Sequence, residues 1–220
     1  MASKVSYSLA KTTDYYQNTR DDMLEYIPDN VQKVLEFGCG EGSFSESIMN
    51  SRNAECWGVE IDANAAAEAS TKLHKVINAN AIESLTELPD VYFDCIVFND
   101  TLEHLADPFS LLKMVKTKLT SYGVVVASIP NVRFWNHLRD YVLRGDWDYK
   151  DGGILDSTHL RFFTYKSLVK LFHTLQYEIV SIEGLRPTKN KKFQIVNFLL
   201  CNKLWDAKYH QFACVVRPSG

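Results

Sequence analysis

The sequence predicts a doubly wound α/β fold, a largely parallel sheet with helices on both faces. Three observations point to it. Apolar runs of strand length alternate with helical patterns along most of the chain. The runs Cys95-Ile96-Val97-Phe98 and Val124-Val125-Val126-Ala127 are continuously apolar, as strands covered on both faces are. The first strand stops at a glycine turn, Gly38-Cys39-Gly40-Glu41-Gly42, placed where open α/β sheets bind ligands at their carboxyl edge.

In chain order, a helix is expected over 19–26, a strand over 33–37 and a helix over 42–51. A strand over 55–60, a helix over 63–72 and a short strand over 75–78 follow. The central strands are 93–98 and 123–129, separated by a helix over 108–118. After Ile129, residues 130–164 exceed what the minimal fold needs: an amphipathic helix over 131–143, then a polar stretch rich in Trp, Tyr and Phe. Long ordered loops in compact domains are usually functional. This one follows a central strand at the ligand-binding edge, so it is read as the substrate wall and lid. A helix over 165–175, a strand over 177–183, a helix over 193–204 and a strand over 209–216 close the chain. A length of 220 residues supports one substantial core, so the expectation is a single domain over 1–220 with 130–164 inserted.

Composition excludes several classes. A net charge of −3 argues against an extended nucleic-acid surface, and no nucleic-acid partner is expected. No apolar stretch approaches spanning length, and Met-Ala-Ser-Lys-Val lacks a signal-peptide core, so no membrane role is expected. The five cysteines, at 39, 56, 95, 201 and 214, form no C-x-x-C pair, which speaks against zinc and for a reducing, cytoplasmic compartment. No Asp/His grouping in the sequence has metal-ligand spacing, so no metal is expected.

The glycine turn reads Glu36-x-Gly38-x-Gly40-x-Gly42, and the third position after Gly40 is Ser43. It is therefore not the G-x-G-x-x-G of dinucleotide sites, and it lacks the lysine of a phosphate loop. Glu36, inside the strand, suits a ligand carrying an amine or sulfonium and disfavours a pyrophosphate. Glu60 ends the second strand, where a carboxylate accepts both hydroxyls of a ribose. Together they describe a nucleoside site with a cationic neighbour.

Three motifs in order, Val34–Gly42, Gly58-Val59-Glu60-Ile61-Asp62 and Phe93–Leu105, give the chain a resemblance to the class I S-adenosylmethionine (SAM) methyltransferases over roughly residues 12–185. The resemblance implies a Rossmann-like sheet of seven strands, one of them antiparallel, with SAM as cofactor and S-adenosylhomocysteine as product. It places Gly38 and Gly40 against the methionine part of SAM, Glu36 near its amine, Glu60 on the ribose and Ile61 on the adenine, with Asp62 capping the next helix. Asn80 stands where the family often has Asp, and would accept from the adenine amino group through its carbonyl oxygen. The backbone of Asn99 and Asp100, with Leu102, would line the reaction centre. Tyr16 would close over the cofactor, and Arg20 would grip the methionine carboxylate bidentately.

Asp151–Thr164 resembles a segment of methyltransferases that accompany glycosyltransferases. Within it Asp156 and His159 would act together, the acid orienting the imidazole and His159 taking a hydroxyl proton. Alternatively, Asp156, His159 and Arg161 form a network that only anchors the lid. His104 is a second base candidate, or it braces the turn with Glu103. The aromatics Trp135, Trp147 and Tyr149 stack on a sugar face or simply pack. The expected reaction is SAM-dependent O-methylation of a small polar acceptor, a sugar or glycosylated metabolite, by a monomer or homodimer. The competing readings are N- or C-methylation of another metabolite, a catalytically silent SAM-binding domain, and a nicotinamide dehydrogenase. Glu36 and the glycine spacing oppose the last.

Overall fold

The structure is a computed structural model that describes residues 20–219. Seven strands, β1 (Lys33–Phe37), β2 (Glu55–Glu60), β3 (Lys75–Asn78), β4 (Phe93–Asn99), β5 (Leu119–Pro130), β6 (Tyr177–Pro187) and β7 (Tyr209–Pro218), form one sheet in the order β3-β2-β1-β4-β5-β7-β6. Pairing is parallel from β3 through β5, and β7 runs antiparallel to both β5 and β6. This is the sheet that the sequence predicts. Sheet growth reverses direction between β1 and β4, and such a switch point opens a crevice at the strands' carboxyl ends.

The helices are α1 (Asp21–Leu24), α2 (Ser43–Arg52), α3 (Ala63–Ala69), α4 (Pro108–Met114), α5 (Trp135–Arg144), α6 (Tyr165–Thr174) and α7 (Lys191–Leu199). Local chemistry sets several boundaries. Asp62 caps α3, accepting from the N–H groups of Asn64 and Ala65, as expected from the sequence. Thr164 and Ser167 form a reciprocal capping box on α6. The first helix is shorter than the expected 19–26: Arg20 is left-handed, and after Leu24 the chain tightens into i→i+3 bonds at Tyr26 and Ile27, ahead of Pro28. The last helix stops at Leu199 instead of 204 because Cys201 and Asn202 turn left-handed. The lid helix starts at Trp135, since buried Asn131 spends its amide N–H on the carbonyls of Asp206 and Tyr209.

Alternation along β1 sorts its side chains between two cores. Leu35 and Phe37 join Ile96, Phe98 and the apolar faces of α4 and α6, with the Phe37 and Phe98 rings stacked at 5.0 Å. Val34 faces the other way, onto Phe44 and Ile48 of α2. Glu36 is two residues on and so shares the α2 side. The pleat therefore forces a carboxylate inward beside the start of α2. Phe193 of α7 is buried against Trp135, while Phe198, Leu199 and the following Leu200 are exposed. Among the described residues no helix is long and apolar enough to cross a membrane.

Candidate active site

A cleft of about 460 Å³ opens at the switch point, within the range of small-ligand sites. The ends of β1, β2 and β4 meet there because their registers are level: Phe37 pairs with Val59 and with Phe98. Gly38, Gly40, Glu36, Glu60 and Ile61 all line the cleft. Gly38 has φ +70°, and a Cβ there would lie 2.7 Å from Thr101 Oγ1. Only glycine fits that turn. Glu60 ties the turn to its own strand end: Oε2 accepts from Gly40 N–H and Oε1 from Asp62 N–H, each at 2.9 Å. A carboxylate has about four lone-pair sites, so both oxygens retain capacity for ligand hydroxyls. Ile61 is 73 % exposed on the cleft wall, an uncovered apolar side chain beside two alanines, Ala79 and Ala81.

Glu36 is buried, accepting from Ser45 Oγ at 2.6 Å and from Asn99 Nδ2 at 3.3 Å. Burial pushes its carboxyl up to about 7, against the lowering effects of those two bonds and of the Arg20 charge. It is thus an acid poised near neutrality, bridging β1, α2 and β4.

The turn after β4 and the lid also line the cleft, through Thr101, His104, Leu105 and Thr158. Leu160 and Arg161 donate their N–H groups to the carbonyl of Glu103 at 2.8 and 3.0 Å, which fixes the lid against that turn. His104 Nδ1 lies 3.0 Å from Thr158 Oγ1 and 3.3 Å from the Thr158 carbonyl. The Thr158 hydroxyl in turn donates to Asp156 Oδ1 at 2.6 Å. A carbonyl only accepts, so Nδ1 of His104 carries the hydrogen and Nε2 is the basic nitrogen. The same reasoning applies to His159, whose Nδ1 meets the Ile154 carbonyl at 3.0 Å. The two imidazoles pack edge to face with ring centres 4.6 Å apart.

A family profile described as a methyltransferase domain matches residues 5–182. This chain belongs to the methyltransferase domain family. The methyltransferase is 28 % identical over 199 residues to a ubiquinone biosynthesis O-methyltransferase of Idiomarina loihiensis, a match spanning 81 % of this chain and 72 % of that one. It is 30 % identical over 138 residues to the protein of the same name from Nitrosomonas europaea, covering 55 % and 57 % of the two chains. Its fold matches a crystal structure of a SAM-dependent methyltransferase from Archaeoglobus fulgidus with a TM-score of 0.65 at 22 % identity, covering 89 % of this chain and 90 % of that one.

The methyltransferase's cleft brings together most of the residues singled out from the sequence, with four changes of role. Asn80 lines the cleft, but its Oδ1 accepts from the N–H groups of Ile82 and Glu83, both at 3.0 Å, so that oxygen is committed to a turn and not to an adenine amino group. Arg20 lines the cleft with its fork engaged inside the protein, by Asp100 through Nη1 and by Asp22 through Nε at 3.1 Å, so its bidentate face is not turned to a ligand. Leu102 is fully buried in the apolar core, where its side chain supports the turn from behind. Asp156 and His159 are buried and meet the cleft wall through Thr158 and His104; Asp156 is linked by the Thr158 hydroxyl to His104. Tyr16 lies outside the described residues. Trp147 packs with His137, Tyr141 and Phe162, and Trp135 with Phe193.

Sequence reasoning missed two residues. Thr158 lines the cleft and joins lid to turn, yet a lone threonine in a loop carries no signal. Gln211 on β7 donates to Asp100 Oδ1 at 2.6 Å, completing the Arg20–Asp100 group from a strand 111 positions away.

Proposed function

We propose that this chain methylates a hydroxyl of a small polar acceptor, with SAM held along the Gly38–Glu60 side and the acceptor at the His104–Thr158 side. The observation that carries this reading is one cleft lined both by Gly38, Glu60 and Ile61 and by His104 and Thr158, with the His104 ring held at Thr158 through Nδ1. The residues fit the cofactor. The glycine turn leaves room for a backbone-close ligand, Glu60 meets a ribose, Ile61 and the neighbouring alanines offer a flat base an apolar seat, and Glu36 and Asn99 lie on the side where a positive charge is favoured.

The bound cofactor supplies an activated methyl group on a positively charged sulfur. The protein's part is alignment, exclusion of water and handling of the hydroxyl proton. Asp156, through Thr158, holds the His104 ring in one tautomer; His159 buttresses that ring from the protein side. The pinned lid backbone keeps both in place before any ligand arrives. The relatives named as ubiquinone biosynthesis O-methyltransferases favour oxygen as the methylated atom. Their names mention no sugar, so the acceptor class is a hydroxyl compound and not specifically a glycoside.

The test is turnover with methyl-labelled SAM against matched panels of phenols, aliphatic alcohols, sugars and amines, read by mass spectrometry. O-Methylated product from at least one hydroxyl compound is expected. Transfer confined to amines would overturn the reading in favour of N-methylation.

A further inference from the structure

We infer that the outward face of α7 docks the protein onto the surface of an anionic lipid bilayer, with the helix lying in the plane of the headgroups. The expectation of no membrane role rests on spanning length, and a helix that lies on a surface needs none.

A helix packed on a protein core normally turns its apolar side inward. In α7 the inward anchor is Phe193, which is buried and packs on Trp135 of the lid helix with ring centres 5.4 Å apart. Three other apolar side chains point away from the core: Ile195, Phe198 and Leu199 are 62, 75 and 72 % exposed. They stand three and four positions apart, so they share one helix face, on the side opposite Phe193. Leu200 and Trp205, exposed in the turns that follow, continue the apolar surface along the chain. An uncovered apolar surface of this kind marks a contact surface.

Charge selects what it contacts. Residues 188–208 carry five lysines, at 189, 191, 192, 203 and 208, all exposed. Lys191 and Lys192 precede Ile195 by four and three positions and lie on its face. The one acid in that stretch, Asp206, is buried and paired with Arg133 at 2.8 Å. The chain as a whole carries −3, so this segment is cationic against the average. A second copy docked two-fold through the same face would bring the two sets of lysines together, with no exposed acid of the segment to offset them. An anionic bilayer meets both demands. Its headgroups take the lysines, and its acyl boundary takes Ile195, Phe198 and Leu199. Lysines at both ends of the apolar stretch can lay their stems along that boundary and keep their charges among the headgroups. Trp205 is of the type that settles at the same depth.

The test uses the full chain. Cys201 lies just past α7 and is exposed, while Cys39, Cys56, Cys95 and Cys214 are buried, so an environment-sensitive maleimide dye on Cys201 reports on this face without any substitution. The labelled chain is titrated with vesicles of phosphatidylcholine and with vesicles of equal parts phosphatidylcholine and phosphatidylglycerol. Co-sedimentation of the unlabelled chain gives a second reading. A blue shift of the dye and co-sedimentation are expected with the mixed vesicles, and affinity at least tenfold weaker for phosphatidylcholine alone. Phe198→Ser with Leu199→Ser should weaken binding to the mixed vesicles at least tenfold. Lys191→Gln with Lys192→Gln should weaken it about twentyfold, at about fivefold per lysine, and added salt should weaken the parent in the same direction. All four positions are exposed, and thermal melting followed by circular dichroism checks that each variant is folded. No binding to the mixed vesicles would overturn the inference. So would equal binding to both kinds of vesicle, or binding that the paired serine substitutions leave unchanged. Sedimentation velocity covers the other occupant: a parent dimer that Phe198→Ser with Leu199→Ser turns into monomer, without vesicle binding, assigns the face to a second copy and overturns the lipid surface.

Discussion

Replacing Glu36 by glutamine separates the stability of the fold from the demands of the cofactor. In the folded chain burial lifts this carboxyl from the ordinary 4.5 to about 7, while in the unfolded chain it titrates normally. A folded-state pKa above the unfolded one contributes stability that is fully present below about pH 4.5 and is lost as pH rises through about 7. The interval corresponds to about 3 kcal/mol, at about 1.4 kcal/mol per pH unit. Glutamine never ionises, and it keeps both contacts: its oxygen accepts from Asn99, and its amide donates to Ser45 Oγ. The difference in unfolding free energy between Glu36→Gln and the parent should therefore grow in favour of the variant, by about 2–3 kcal/mol between pH 5 and pH 8.5. Urea denaturation at the two pH values measures it, since groups common to both proteins cancel in the difference. The same substitution removes the negative charge beside the positive ligand, so SAM affinity at pH 8 should fall by about tenfold or more. A variant whose stability relative to the parent is equal at both pH values would refute the account of Glu36 as a strained, half-ionised acid.

Other expectations follow from the same geometry. SAM affinity of the parent chain should weaken by about tenfold between pH 8 and pH 6 as Glu36 takes up a proton, and this slope should vanish in Glu36→Gln; isothermal titration calorimetry reads both. Gly38→Ala meets Thr101 Oγ1 at 2.7 Å on a backbone with φ +70°, and should lower the unfolding free energy by about 1–3 kcal/mol in urea. Glu60→Gln turns an amide donor toward the N–H of Gly40 or of Asp62, and should cost about 1–3 kcal/mol in stability and weaken SAM binding at least tenfold in calorimetry. Thr158→Val cuts the Asp156–Thr158–His104 link, and should lower kcat about tenfold with the SAM dissociation constant unchanged; an equal loss in both would show that Thr158 serves the cofactor end of the cleft.

The β strands and the meeting of Gly38, Gly40, Glu60 and Ile61 in one cleft were legible in the chain because both are local. Strands β1, β2 and β3 end where the apolar runs end, and Gly38, Gly40, Glu60 and Ile61 sit at strand termini that parallel pairing must bring level. Asp62 as a cap needed nothing beyond its own next three residues. Where a side chain had several partners to choose from, sequence alone could not rank them. Arg20 was free on paper to meet a ligand carboxylate; Asp100, positioned by Ser128 and Gln211, takes its fork instead. Asn80 has an oxygen suited to adenine, but the N–H groups of Ile82 and Glu83, two and three positions ahead, claim it. The part of the cleft proposed for the acceptor is built from residues that carry no shared pattern, His104 after β4 and Thr158 in the lid. Only the packing of that lid onto the turn makes them neighbours, because the hydrogen bonds that join them are spent between segments more than fifty residues apart. Sequence periodicity fixes what each strand end offers, and tertiary contact decides which of those offers faces a ligand.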